Sequence, residues 1–432
     1  MSAKKYYIET YGCQMNEADS ELVAGLLQKT GYSMTAVPDQ ADVILVNSCS
    51  VRENADRRAI ARLSQFKNLK KANPELILGL LGCVAQRDKG KLLAERKYID
   101  LILGPDAYRD LPEILEQCRT PFIDVDLSRT EVYDDLVPFR QSAVNAWISI
   151  MRGCNKFCTF CIVPYLRGRE RSRSPQSIIN EIGKALTDGY REVTLLGQNV
   201  NSYHFEEYRF PELLETVAAV PDLHRVRFTS PHPRDVDERM LAVMQSHKNI
   251  CKQIHLPLQA GSSRVLKLMN RSYNHEHYLK VVEMIRNYLP QAAITTDIIV
   301  GFPDESAEDF EQTLAVMQAV RFDAAFMFKY SPRAGTKAAE MPDNVPEEEK
   351  ARRLKAIIQL QKTHTLESNK ALIGTVQEIL IDGPSRKNPD EMIGRTDTNK
   401  IVVLKEGHPQ VGEFCQVKIE KAVGVSLFGK IT

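Results

Sequence analysis

This sequence has no large excess of positive or negative charge and no long hydrophobic run. Its 432 residues include 57 basic and 56 acidic side chains, a formal net charge of +1. Bulk charge therefore neither indicates nor excludes a nucleic-acid partner. No uncharged apolar run reaches the ~18 residues that a membrane-spanning helix needs. The first ten residues also lack the apolar stretch of a secretory signal. We expect a cytoplasmic protein with no membrane partner.

The nine cysteines lack the context in which disulfides form. In a protein that is not secreted, cysteines more often serve metal binding or catalysis. Cys154, Cys158 and Cys161 are spaced C-x₃-C-x₂-C, and no fourth cysteine lies nearby. A structural zinc site needs four ligands, and a [4Fe-4S] cluster normally takes four thiolates. Three thiolates would hold three irons and leave the fourth open, which predicts chemistry rather than electron storage.

The first 120 residues alternate between short apolar runs and polar, helix-like segments. The apolar runs are 5–10, 43–47 and 76–81, and the helical segments are 17–29, 53–71 and 89–96. This alternation predicts a doubly wound parallel sheet. Cys13, Cys49 and Cys83 each follow one predicted strand, at the edge where such sheets bind ligands. Although a lone cysteine is usually a small core residue, three at the same topological position predict a second three-thiolate site.

The remaining chain divides into three further segments. Residues 121–141 have no strong periodicity and are expected to form a linker. Residues 142–371 contain six strand-like segments separated by helices, which predicts a partial (β/α)6 barrel. The cluster loop would follow its first strand, on the face where active sites are built. Residues 372–432, after a charged helix at 346–371, predict a small all-β barrel. The expected strands are 147–151, 192–196, 225–229, 253–256, 294–300 and 324–330 in the first barrel and 375–381, 392–396, 400–404 and 414–422 in the second.

Several other candidate residues lie where predicted barrel strands end. Glycine at such positions lets the backbone approach a ligand closely, although an ordinary turn explains it equally well. A single histidine there is more often a structural residue than a ligand. Its location on the cluster-bearing face gives the structural and the functional interpretation equal weight. The candidates are Gly197, Gln198, His232, His255, Gln259 and Gly301. Cys118, Cys251 and Cys415 do not belong to a group of cysteines and are expected to be structural.

Two basic segments flank the predicted cysteine sites. Residues 167–173 carry four arginines against one glutamate, and residues 52–71 carry seven basic residues against two acidic ones. A solvated charged turn is one explanation. Phosphate contacts that position a nucleic acid are the other, and they favour an RNA partner. The expected phosphate contacts are drawn from Arg52, Arg57, Arg167, Arg169, Arg171 and Arg173.

These motifs resemble a known enzyme family. Cys154, Cys158 and Cys161 match the cluster motif of radical S-adenosylmethionine enzymes. The segments Tyr11–Asn16, Asn47–Glu53 and Gly82–Gln86 resemble the tRNA branch of the methylthiotransferases, as does Phe157–Tyr165. The Pro-Lys-Asn that usually follows the first cysteine in the ribosomal-protein branch is absent. Ser48 and Leu166 stand where threonine is common in the family.

The resemblance implies two [4Fe-4S] clusters. One would bind Cys13, Cys49 and Cys83 and hold the sulfur donor on its open iron. The other would bind the Cys154 loop and chelate S-adenosylmethionine, with Gly197, Gln198, His255, Gln259 and Gly301 as cofactor-binding residues. The C-terminal barrel would be an RNA-binding TRAM domain. A flavodoxin- or ferredoxin-type electron donor and a monomeric state are also expected.

The implied reaction is methylthiolation at C2 of N6-(dimethylallyl)adenosine at position 37 of tRNA, next to the anticodon. That carbon carries an unactivated aromatic C–H bond, which no side-chain acid or base can open. The nearest alternatives are the same chemistry on N6-threonylcarbamoyladenosine of tRNA or on a ribosomal-protein aspartate. An alternative of another class is a non-catalytic iron–sulfur or RNA-binding protein with structural metal.

Overall fold

A computed structural model describes residues 4–50, 53–117, 121–140 and 144–432 of the chain. They form an N-terminal parallel-sheet domain, a central partial barrel and a small C-terminal β-barrel. Within these residues, no helix is long and apolar enough to cross a membrane.

The N-terminal domain is a six-stranded, all-parallel sheet with strand order β2-β1-β3-β4-β5-β6. Its strands are β1 (Lys5–Tyr11), β2 (Ser33–Met34), β3 (Val43–Ser48), β4 (Ile77–Gly82), β5 (Leu101–Leu103) and β6 (Phe122–Asp124). Its helices are α1 (Gln14–Lys29), α2 (Glu53–Ala72), α3 (Cys83–Asp88), α4 (Lys91–Glu95) and α5 (Leu111–Glu116). Helices cover both faces, since Leu27 and Leu111 belong to one core cluster and Leu63 and Phe66 to another. The predicted doubly wound fold is confirmed.

Two predictions for this region need correction. The helix expected at 89–96 begins earlier, at Cys83, and is interrupted at Lys89, whose φ is +47°. The segment 121–141 is not a linker, because β6 pairs with β5. Tyr133 is also buried and stacks on Tyr108 with ring centroids 5.9 Å apart. Single aromatic anchors leave no periodic pattern, so the sequence did not reveal this packing.

The central domain contains six parallel strands in two groups, β7-β10-β13 and β14-β15-β16. A bridge between Val226 and Ile250 joins the two groups, which confirms the partial six-stranded barrel. The strands of this domain are β7 (Asn145–Ser149), β8 (Met151–Arg152), β9 (Arg171–Ser172), β10 (Glu192–Leu196), β11 (His204–Phe205), β12 (Tyr208–Arg209), β13 (Arg225–Phe228), β14 (Gln253–His255), β15 (Ala293–Val300) and β16 (Ala324–Lys329). Its helices are α6 (Val163–Arg167), α7 (Pro175–Thr187), α8 (Phe210–Ala218), α9 (Glu238–Ser246), α10 (Ser263–Leu268), α11 (His275–Tyr288) and α12 (Ala307–Val320).

A 24-residue helix, α13 (Glu347–Lys370), leads into the C-terminal barrel. That barrel closes in the order β17-β18-β19-β21-β20. Its strands are β17 (Val376–Pro384), β18 (Met392–Thr396), β19 (Ile401–Leu404), β20 (Phe414–Val423) and β21 (Ser426–Ile431). The final strand β21 was not predicted. It closes the barrel by pairing with both β19 and β20.

Buried ion pairs attach the C-terminal barrel to the central domain. Glu192, at the start of β10, is fully buried and accepts a hydrogen bond from Arg227 Nε at 2.9 Å. Arg395 of β18 lies 3.1 Å from the same carboxylate. Arg227 also donates to the Thr396 carbonyl at 2.8 Å, and Arg225 donates to the Glu378 carbonyl at 2.8 Å. One carboxylate therefore holds cations from both domains.

We predict that Glu192→Gln loosens this attachment. The change removes the charge that two buried or half-buried arginines share, and breaking such a pair costs about 3 kcal/mol. Thermal unfolding should begin at a lower temperature, and limited proteolysis should cut near residue 372 sooner. Glu348→Gln, at an exposed position on α13, should change neither measurement. Equal behaviour of the two variants would contradict the assignment.

Candidate functional site

The first group of predicted site residues lies at one edge of the N-terminal sheet. Cys13 is the residue before α1, Cys49 follows β3, and Cys83 opens α3 directly after β4. The strands β1, β3 and β4 are neighbours, and the strand order reverses between β1 and β3. Cys49 hydrogen-bonds to Cys13. The structure therefore brings these cysteines, about 35 residues apart in the sequence, to the crevice where doubly wound sheets bind ligands.

A buried amide network supports Cys13. The Asn16 side chain donates to Asn47 Oδ1 at 3.0 Å, and Asn47 donates to Ser20 Oγ at 3.0 Å. The Cys13 thiol lies 3.4 Å from Asn16 Oδ1. Gly82 packs so tightly here that an added Cβ would lie 2.3 Å from Asn47 Oδ1. Sequence reasoning missed this network, although polar residues three and seven positions after Cys13 share one face of α1.

The second group lies in the loop between β8 and α6. Gly153 has φ of +80°, and an added Cβ would lie 2.0 Å from the Arg169 carbonyl oxygen, so only glycine fits. Cys154 N–H donates to the Gly168 carbonyl at 3.1 Å, and Cys161 N–H donates to the Cys158 carbonyl at 3.0 Å. The loop is thus held at both ends, with Cys158 buried and the other two half-buried.

Thiol electrostatics differ among the six cysteines. Burial raises the pKa of Cys83. The hydrogen bond from Cys49, helped by the charge of Arg167, lowers the pKa of Cys13 to about 6 despite burial. Burial raises the pKa of Cys154 to about 11 and that of Cys161 to about 12. Arg271 Nη1 donates to Cys158 Sγ at 3.2 Å. Without a bound cation, Cys154 and Cys161 are protonated thiols at neutral pH. A coordinating metal deprotonates such thiols, so this donor set suits metal binding.

The two cysteine groups meet across the domain interface. Ile162, the residue after Cys161, packs with Leu166 against Cys83 in one small hydrophobic cluster. Arg167, at the end of the same helix α6, donates from Nε to Cys83 Sγ at 3.3 Å. A single helical turn therefore connects a ligand of the barrel loop with a ligand of the N-terminal site.

The arginine segment 167–173 contradicts the sequence prediction. Arg167, Arg171 and Arg173 are buried, and they pair with Asp19 at 2.8 Å, Asp106 at 2.9 Å and Glu181 at 2.5 Å respectively. Arg169 alone of the four is exposed, with its guanidinium 4.4 Å from the centre of the Phe157 ring. Of the six arginines proposed as candidate phosphate contacts, these three are buried in ion pairs, and the prediction was wrong for them.

Distance along the chain explains this error. The carboxylate partners lie as far as 148 residues from their arginines, so the sequence showed a local surplus of positive charge that the fold neutralises. Of the other predicted phosphate contacts, Arg57 is exposed on α2. Arg52 and Cys118 lie outside the described residues.

Three other candidates line or border the barrel interior. His255 at the end of β14 hydrogen-bonds through Nδ1 to Thr295 Oγ1 at 3.0 Å and through Nε2 to Asp297 at 3.2 Å. Gln259, with φ of +69°, donates its N–H to the Asp297 carbonyl at 2.8 Å. The carboxamide oxygen of Gln198, two residues after the end of β10, is buried without a hydrogen-bond partner. An orphaned polar atom of this kind suits a missing polar ligand.

The two candidate glycines have packing roles. An added Cβ at Gly197 would lie 2.6 Å from Met151 Cγ, and one at Gly301 would lie 2.3 Å from Lys350 Cγ. Gly301 also donates its N–H to Glu305 at 2.5 Å. His232 is buried beside Arg271, and burial lowers its pKa to about 2, so it is a neutral imidazole.

The open side of the barrel interior is aromatic. Along β15, half-buried Asp297 and Ile299 alternate with buried residues and face the interior. On the neighbouring strand β16, Phe326 pairs with Asp297 and Phe328 with Ile299. These two phenylalanines are 55% and 42% exposed. The interior therefore offers an unfilled apolar surface beside the polar group around His255.

Comparisons with known proteins agree with this architecture. Residues 5–104 match the uncharacterized protein family UPF0004, residues 148–317 match the radical SAM superfamily, and residues 370–432 match the TRAM domain. Among solved structures, the radical S-adenosylmethionine methyltransferase TsrM from Kitasatospora setae aligns with a TM-score of 0.60 at 13% identity, over 78% of this chain and 77% of that one. The cobalamin-dependent enzyme OxsB aligns with a TM-score of 0.54 at 11% identity, over 83% and 56%. These two likenesses show the fold alone.

Curated relatives are much closer in sequence. Proteins named tRNA-2-methylthio-N(6)-dimethylallyladenosine synthase from Porphyromonas gingivalis and Parabacteroides distasonis are 48% and 49% identical. Each alignment covers 99% of this chain and 95% of the relative. The fold and the cysteine loop define a radical SAM protein with a TRAM domain. Within that class, the chain belongs to the tRNA-2-methylthio-N(6)-dimethylallyladenosine synthase family.

The chemistry of the two cysteine groups suits iron–sulfur clusters, whose irons bind thiolates. The buried thiols, the close-packed glycines and the arginines at Cys83 and Cys158 suit such a group.

We predict that the pKa difference controls thiol alkylation in metal-free protein. Cys13 and Cys154 are both half-buried, but a lowered pKa makes Cys13 a thiolate above about pH 6, whereas Cys154 stays protonated until about pH 11. Iodoacetamide labelling followed by peptide mass spectrometry should show a Cys13 rate that levels off above pH 7. The Cys154 rate should keep rising about tenfold per pH unit. Parallel pH profiles for the two cysteines would contradict this.

Proposed function

We propose that the protein methylthiolates C2 of N6-(dimethylallyl)adenosine at position 37 of tRNA, using S-adenosylmethionine and iron–sulfur chemistry. The observation that carries the proposal is the meeting of two three-cysteine groups at one interface, where Ile162 and Leu166 of the barrel domain pack on Cys83. One group suits radical generation and the other suits sulfur supply. Family membership supports the substrate.

Each part of the chain has a separate task in this proposal. Cys154, Cys158 and Cys161 would hold a [4Fe-4S] cluster, and Gln198, His255 and Gln259 would border the S-adenosylmethionine site. The bound cluster and S-adenosylmethionine supply the electron and the carbon radical that no side chain can supply. The chain itself holds the thiolates in place, keeps Arg271 on Cys158 Sγ, and presents Phe326 and Phe328 to an apolar substrate group.

A second [4Fe-4S] cluster on Cys13, Cys49 and Cys83 is part of the proposal. The lowered pKa of Cys13 favours metal binding at neutral pH, because the thiolate is the ligand form. Three protein ligands leave one iron open for the sulfur donor. The tRNA loop lets its bases splay out of the stack, which exposes the target carbon to the barrel interior.

A row of lysines on the C-terminal barrel supports RNA binding. Lys418 on β20 lies directly opposite Lys430 on β21. Lys405 follows Leu404, which pairs with Gly429, the residue before Lys430. Like charges directly opposite each other are unfavourable in a sheet, and an exposed pair between Lys430 and Glu406 at 3.4 Å adds little. A phosphate backbone would relieve this repulsion.

The remaining expectations about partners belong to the same proposal. A flavodoxin- or ferredoxin-type protein would deliver the electron, the enzyme would act as a monomer, and it would work in the cytoplasm. The alternatives on N6-threonylcarbamoyladenosine or a ribosomal-protein aspartate keep the same cysteine chemistry, so the substrate test below separates them.

We predict that the two cysteine groups have separable roles. Anaerobically reconstituted protein should carry about eight irons in two clusters. A Cys154/Cys158/Cys161→Ala variant should lose cleavage of S-adenosylmethionine, because its proposed binding iron is gone. A Cys13/Cys49/Cys83→Ala variant should still form 5′-deoxyadenosine but yield no methylthio product. Mössbauer spectroscopy and liquid chromatography–mass spectrometry of tRNA nucleosides would measure both.

A cysteine outside both groups provides the control for these variants. A variant of the structural cysteine Cys251→Ser should keep both clusters and both activities. A single shared cluster, stoichiometric zinc, or equal loss of both activities in both folded triple variants would contradict the division of roles. Modification of a ribosomal-protein aspartate, with dimethylallyl-tRNA ignored, would overturn the substrate assignment.

We predict that the lysine row sets part of the salt dependence of tRNA binding. Each phosphate contact contributes roughly 0.7 to the slope of log K against log salt on single strands. Lys405/Lys418/Lys430→Gln should therefore reduce that slope by roughly 2. Arg167→Met should leave the slope unchanged, because Arg167 is buried. A slope that responds to Arg167 but not to the lysines would restore the original arginine hypothesis.

A further inference from the structure

The interface between the N-terminal domain and the barrel contains a buried network of three arginines and two aspartates. Arg152 and Arg167 both donate to Asp19, each at 2.8 Å, through its two different oxygens. Arg171 pairs with Asp106 at 2.9 Å. All three arginines and both aspartates have nearly inaccessible side chains. Within this network, three cations thus share two carboxylates.

Arg167 contacts both this network and a cysteine of the N-terminal site. Its Nη2 binds Asp19, and its Nε donates to Cys83 Sγ at 3.3 Å. Its Nη1 is buried and has no hydrogen-bond partner. A buried donor without an acceptor is costly, so this atom marks a position where an acceptor belongs. Cys83 lies beside it, and the charge of Arg167 also acts on Cys13.

A cluster on the N-terminal cysteines would have Cys83, the residue that Arg167 touches, as one of its ligands. An oxidised [4Fe-4S] core on three thiolates would carry one net negative charge, opposite in sign to the guanidinium of Arg167. It would also supply sulfur atoms, which are hydrogen-bond acceptors. Hydrogen bonds to cluster and ligand sulfurs shift the reduction potential of such sites.

We propose that Arg167 is a positioning residue of the N-terminal site: the barrel domain uses it to reach into the other domain, donate to the sulfur of Cys83 and stabilise the reduced form of the cluster there. Reduction adds one electron, supplied by the external reductant, and hence one negative charge beside the guanidinium. The inference rests on the proposed second cluster. It assigns to the barrel domain control over a site whose three ligands all belong to the N-terminal domain.

The test is a redox titration of the full chain carrying Cys154/Cys158/Cys161→Ala, which isolates the N-terminal cluster. Dithionite reduction followed by electron paramagnetic resonance gives the midpoint potential. Adding Arg167→Met should move that potential to a more negative value. Arg152→Met is the matched control, because Arg152 is equally buried and binds the same Asp19 but touches no cysteine. It should move the potential much less.

Each outcome decides one question. An unchanged potential in Arg167→Met, or an equal shift in Arg152→Met, would overturn the proposal and leave Arg167 as an interface ion pair. If Arg167→Met binds no iron, Arg167→Gln, which removes the charge and keeps a polar side chain, replaces it in the titration; a more negative potential supports the proposal and the parent value overturns it. Absence of a cluster in the parent triple variant would instead refute the second cluster itself.

Discussion

The ion pairs of Asp19 with Arg152 and Arg167 are the constraint on which the site depends. Asp19 lies on α1, the helix that begins next to Cys13, whereas the two arginines flank the cysteine loop of the barrel. Pairing fixes the distance between the two cysteine groups without a covalent link. Removing one partner would leave a buried charge uncompensated, which costs several kcal/mol. The ion pairs that hold the two domains together therefore also set the geometry of the site.

A second constraint acts at the opposite end of the barrel strands. Glu192 begins β10 and pairs with Arg227 and Arg395, which holds the C-terminal barrel in a defined place. The cysteine loop lies near the other end of the strands, after β8. An RNA that contacts the lysine row must span this distance to reach the barrel interior. Fixed attachment at both ends suits an enzyme that acts on one base of a large, structured substrate.

The interior of the barrel combines two environments that a modified adenine requires. His255, Thr295 and Asp297 form a polar group, and Phe326 lies in edge contact with His255 at 5.9 Å between ring centroids. Exposed apolar side chains that are grouped beside polar residues mark a surface where a ligand binds. The proposed dimethylallyl group has the matching chemistry.

The sequence by itself determined the class of fold and indicated the six cysteines as candidate ligands, because strand–helix alternation and cysteine spacing are local patterns. It also indicated Gly301, but as a position of close approach to a ligand or a turn, whereas the structure packs Lys350 against it. Only the tertiary structure decided the role of Arg167 and Arg171, since their carboxylate partners Asp19 and Asp106 lie in another domain. Stacking on Tyr108 decided the burial of Tyr133 in the segment expected to be a linker. Local patterns predict elements, but which charges are buried together depends on contacts between residues far apart in the chain.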